Sequence, residues 1–141
     1  AGPDSDMFLG WFNSASKETS PTEAGNFLGV HVAGPTRVGH YFHPSLTTAR
    51  GSRAQAEAGP VLVPMTVYDW SLVFDPEADD GRGTLRVTLG DESVTLHLKQ
   101  GVKAQGGRFD RFGLFTSNIG GQIIRIYLDD LKYTVAAEGR P

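Results

Sequence analysis

Cysteine is absent from the 141-residue sequence, which removes disulfides, thiolate catalysis and cysteine-ligated zinc together. No apolar run approaches the roughly 20 residues that a membrane-spanning helix needs, so membrane insertion is not expected. The formal net charge is -3, and arginines stand singly at Arg37, Arg50, Arg53, Arg82, Arg86, Arg111 and Arg125. Without a basic stripe to follow a phosphate backbone, nucleic acid is not an expected partner. The chain opens Ala1-Gly-Pro-Asp-Ser-Asp6, with no basic start leading into an apolar core, so no signal peptide is visible. A Gly-x-Ser-x-Gly elbow is missing, as is a glycine-rich phosphate loop between a strand and a helix. Helical periodicity is also missing. The alanine-rich stretch from Thr47 to Ala58 lacks an apolar stripe and carries Gly51 inside it, so it reads as a polar loop with at most one helical turn.

What is present is period-two alternation, punctuated by 18 glycines and 8 prolines, as many short strands with many turns require. Thr84–Leu89 places Leu85, Val87 and Leu89 on one face. Gly90-Asp-Glu-Ser93 follows as a turn, and Val94–Lys99 then places Val94, Leu96 and Leu98 inward. This is a hairpin with one wet face. Six further segments read as strands: Met7–Asn13, Asn26–Val32, Arg37–His43 ending at Pro44, Tyr68–Phe74, Arg108–Thr116, and Gln122–Val135 with a bend at Asp129-Asp130. The expected fold is all-β, a single domain over residues 1–141 in which two antiparallel sheets make a sandwich or jelly roll. Trp70 and Phe74, alternating with Ser71, are expected in its core.

Three segments, Phe109–Phe115, Ile126–Thr134 and Tyr68–Pro76, resemble concanavalin A-like lectin/glucanase or laminin-G-like domains, which recur in large secreted bacterial proteins. The resemblance implies that Phe109–Phe115 is a central strand and that Ile126–Thr134 closes the sandwich. It further implies an extracellular or cell-surface setting and neighbouring domains in a larger chain. Two departures stand out: such domains are usually longer, and the Glu-x-Asp-x-x-Glu strand of the laminarinase-type hydrolases is absent. That chemistry needs two carboxylates on one face as nucleophile and acid. Glu18, Glu23, Glu57, Glu77, Glu92 and Glu138 fall almost entirely in expected loops or turns.

A lectin-like sheet recognises sugar through aromatic faces and planar polar groups gathered on one surface. The candidates are Trp11, Asn13, His31, Arg37, Tyr41 and His43. Trp11 and Asn13 share a strand face. His31 lies opposite Leu28, Val30 and Val32, beside Gly29, where a glycine would let a ligand approach the backbone. If Phe42 is core, Tyr41 and His43 are exposed beside His31. The leading expectation is a non-catalytic carbohydrate-binding module with a polysaccharide or glycan as partner. A structural or protein-interaction sandwich is the first alternative, and an enzyme with a histidine-centred metal site the second. No cofactor is expected. A structural calcium ion is an open alternative at Asp129-Asp130 or in the Asp75–Asp80 loop. The leading reading of Asp129-Asp130 is an ion pair with Arg111 or Arg125, and that of the loop is a solvated turn.

Overall fold

The hairpin is where local sequence and architecture agree most directly. In the computed structural model, which describes residues 6–15, 26–33, 39–57, 59–118 and 127–134, strand β7 (Thr84–Leu89) pairs antiparallel with β8 (Glu92–His97). Leu89 faces Glu92, so the turn is only Gly90-Asp91, and Gly90 takes φ +59°. That left-handed conformation is cheap for glycine alone, and it starts the second strand two residues earlier than the alternation suggested. Leu85, Val87 and Leu89 are buried while Arg86 is exposed. Strand β6 (Trp70–Asp75) completes a three-stranded sheet in the order β6-β7-β8.

The second sheet is built from β1 (Asp6–Phe12), β2 (Phe27–Ala33), β3 (His40–Thr47), β4 (Arg53–Gln55), β5 (Val61–Leu62) and β9 (Arg111–Asn118). Its order is β4-β3-β2-β1-β9, with β5 also paired to β3. The protein is therefore all-β, with two antiparallel sheets packed against each other. One core cluster joins Met7, Leu9, Val30, Val32 and Phe42 of the larger sheet to Val87 and Leu89 of the smaller. A second joins Leu28 and Leu46 to Leu85 and Leu98. Trp70 packs on the first cluster as expected. Phe74, expected in the core, is 38% exposed, because it lies near the end of an edge strand.

Several strands differ from the sequence expectation for local reasons. Strand β3 does not end at Pro44 but runs through it. Phe42 N donates to Pro60 O, and Pro44 O accepts from Ala56 N, so these two residues aim their backbone groups away from β2. Pro44 faces the gap between β4, which pairs with Ser45–Thr47, and β5, which pairs with His40 and Tyr41. The missing proline N–H thus costs no bond in the β2 ladder. The stretch after β3, expected as a polar loop, contains the three-residue strand β4. Among the described residues β9 pairs only with β1, so the central position implied for Phe109–Phe115 is not found there. Residues 127–134 form no strand. The chain turns at Asp130, with φ +51°, and Asp130 N donates to Asp129 Oδ1.

Candidate functional site

Alternation sorts the larger sheet into two faces. Trp11, Leu28, Leu46 and Ala54 are direct cross-strand partners along β1 to β4, and they face the smaller sheet. The opposite, outer face carries three successive rows of partners. One row is Phe8, His31 and His43; the next is Gly10, Gly29, Ser45 and Gln55; the third is Phe12, Phe27, Thr47 and Arg53.

The outer face is not uniformly wet. Phe8, Phe27, His43, Ser45 and Thr47 are all buried, so β2 and β3 are covered on both sides near their middles. Gly10 and Gly29 form the centre of this packing. A Cβ on Gly29 would stand 2.2 Å from Leu9 O, and one on Gly10 would stand 2.4 Å from Leu28 O. Two backbones approach here more closely than any side chain allows. Phe8 and Phe27 flank the glycine pair from the rows above and below, yet their rings meet edge to face at 5.3 Å. Both rings must lean over the glycines to do so, covering bare backbone with aromatic surface. Gly29 is therefore required for strand packing, which differs from the ligand approach that its position suggested.

At one end of this face lies the polar-aromatic cluster. The His31 ring stacks on Phe8 at 4.5 Å and 3°, and its Nδ1 is 3.0 Å from Gln55 Oε1. The His43 ring is 6.1 Å from that of His31 and 5.5 Å from that of Tyr41. His31, Tyr41 and Gln55 are half-buried, whereas His43 is 5% exposed. Phe42 is core, as the expectation required. Of the two residues it was to expose, Tyr41 is partly open and His43 is closed in.

The other sequence candidates lie elsewhere. Trp11, on the face toward the smaller sheet, packs against the Leu28, Leu46, Leu85 and Leu98 cluster. It also contacts the rings of Phe112 at 4.9 Å and Tyr133 at 5.5 Å. Asn13 spends its amide on a loop: Nδ2 donates to Arg108 O, and Oδ1 accepts from Ala15 N. Arg37 lies outside the described residues. The six candidates thus do not share one surface; His31, Tyr41 and His43 come together, and Trp11 is on the reverse of their sheet. Gln55 joins the cluster from a strand three residues long, too short for alternation to reveal.

Around Asn13 the loops are tied by polar groups. Ser14 donates to both carboxylate oxygens of Asp110 through its N–H and its hydroxyl, and these bonds hold the Asp110 carboxyl below its ordinary value of 3.8. Asn26 Oδ1 accepts from Arg108 N, and Asp110 N donates to Phe12 O. The acidic loop after β6 is closed locally, with Asp75 Oδ1 accepting from the N–H groups of Glu77 and Ala78. Asp79 reaches His97 at 3.5 Å. This is the geometry of a solvated turn. Asp129 and Asp130 are both exposed, and the Arg111 guanidinium donates to Asp110 O. Among the described residues no group of three or more His, Cys, Asp and Glu converges as a metal site. No protein-family model, curated protein or solved structure matches the chain.

Proposed function

We propose that the chain is a non-catalytic carbohydrate-binding module of concanavalin A-like architecture, working in a secreted or surface protein. The observation that carries this reading is the gathering of Tyr41, His31 and Gln55 on the outer face of the six-stranded sheet. The phenol of Tyr41 and the imidazole of His31 flank His43, and the Gln55 amide meets His31, so this margin supplies an aromatic surface and planar polar groups. Pyranose rings offer the complementary pattern, an apolar face and pairs of hydroxyls. The resemblance of Tyr68–Pro76, which contains β6, to lectin-like domains supports the same class.

The test is calorimetric titration of the chain against soluble β-glucan, xylan, mannan and galactan. Binding of one of them, lost in Tyr41→Ala and kept in Trp11→Ala on the opposite face, is the expected result. Heats indistinguishable from dilution across the panel would sink the reading. The protein-interaction alternative is favoured by a different feature, the fully exposed apolar side chains of Met65 and Val67. It predicts concentration-dependent association and indifference to glycans.

A further inference from the structure

We propose that the open edge of β6 pairs antiparallel with β6 of a second copy of the chain, joining two three-stranded sheets into one. The inference goes beyond the carbohydrate reading and does not depend on it, because the Tyr41–His31–Gln55 margin lies on the outer face of the other sheet. The ladders fix which backbone groups β6 turns outward. Gly90 N donates to Asp69 O, so in the same register Ser71, Val73 and Asp75 exchange bonds with Thr88, Arg86 and Thr84. The neighbouring ladder agrees. Leu98 N donates to Gly83 O, which turns Leu85, Val87 and Leu89 toward β8 and leaves Thr84, Arg86 and Thr88 for β6. The N–H and C=O groups of Trp70, Leu72 and Phe74 therefore point away from β7. Among the described residues β6 pairs with β7 alone, and nothing bonds these outward groups.

An open edge is a template for another strand, and proteins blunt it with charge, lysine or proline. Strand β8, at the opposite edge, begins at Glu92 and ends at His97. Strand β6, Trp-Ser-Leu-Val-Phe-Asp, holds no lysine or proline, and its only charge is Asp75 at the last position. Val73 and Phe74 are exposed on it. Charge placement then makes β6 its own complement in one register. A two-fold axis at Leu72 would set Asp69 against Asp75 of the second copy, and like charges directly opposite are destabilising. An axis at Ser71 sets Trp70 against Leu72, Tyr68 against Phe74 and Asp69 against Val73 across the interface. Both acids then face valines, since Asp75 meets the exposed Val67, and the aromatic rings gain cross-strand partners. Such a contact is isologous and closes as a dimer.

The test is sedimentation equilibrium of the whole chain, in which a reversible dimer is expected. Ser71 is exposed and would face its own copy across the axis. Ser71→Lys and Ser71→Asp should therefore each weaken the dimer about fivefold or more, and mixing the two variants should restore association. A folding defect cannot produce that restoration. The sequence has no cysteine, so Ser71→Cys carries a single thiol. Residues opposite each other in a non-hydrogen-bonded pair have Cα atoms about 4.5 Å apart, within disulfide reach. Oxidised Ser71→Cys should run as a covalent dimer, and Thr95→Cys on β8 should not. A monomer at every concentration, a dimer indifferent to both charges at Ser71, or equal cross-linking through Thr95→Cys would overturn the proposal.

Discussion

The two sheets solve the problem of burial differently. In the three-stranded sheet, β7 alternates strictly at its centre: Leu85 and Val87 are buried, and Arg86 between them is exposed. In the six-stranded sheet, β3 is buried without interruption from Phe42 to Thr47. One sheet has a dry face and a wet face. The other is dry on both faces over much of β2 and β3. The difference teaches where function can sit. A wet face exposes solvated polar side chains in register, whereas a face that is mostly dry isolates a few polar groups at its margin, as it does for His31, Tyr41 and Gln55.

This contrast can be broken first by deleting packing on the face that should not have mattered. Phe27→Ala on the outer face should cost about 3–5 kcal/mol in urea unfolding, as much as a core aromatic. A loss below about 1 kcal/mol would return that face to solvent. Leu85→Ala in the interior should cost about 2–5 kcal/mol, giving an internal standard for the same measurement. Gly29→Ala should cost about 3 kcal/mol, because a Cβ 2.2 Å from Leu9 O forces two strands apart rather than moving a side chain. Full tolerance of alanine would mean that the strands are not so closely paired. Arg86→Ala on the wet face should change stability by no more than about 0.5 kcal/mol.

The smallest effect concerns the loop tie at Asp110. Its carboxyl is held down by the two Ser14 hydrogen bonds, so the folded state binds its proton less readily than the unfolded state does. The stabilisation is therefore present above the ordinary carboxylate value and lost as pH falls through the lowered one. Asp110→Asn should lower the melting temperature slightly at neutral pH and flatten its decline below about pH 4. An unchanged acid limb in thermal melts would show that this tie contributes nothing.

What the sequence made legible follows the same division. Thr84–Lys99 could be read residue by residue because one of its faces is wet, and alternation exists only where the two faces differ. Strand β3 was truncated at Pro44 because a proline in a central strand argues against the strand. Only the gap between β4 and β5, a matter of long-range topology, makes it harmless. Strand β4 was invisible for its length. Alternation put Trp11 and Asn13 on one face, but β1 ends at Phe12 and Asn13 turns its amide to a loop, while the face of Trp11 depends on its pairing with Leu28. A single strand's pattern cannot decide that. His31 was separated from Leu28, Val30 and Val32 by parity alone, and the structure keeps it there.

The central claim is that the functional surface lies at the Tyr41–His31–Gln55 margin of the six-stranded sheet, and not on the wet face of the smaller one. Two-dimensional nitrogen–proton NMR of the labelled chain, titrated with the glycan that gives the largest calorimetric heat, tests it most directly. The account predicts that shift changes concentrate at Tyr41, His31 and Gln55, including the Gln55 side-chain amide, while Arg86 and Thr95 stay fixed. Changes confined to Arg86, Thr95 and their neighbours, or none with any glycan of the panel, would contradict it.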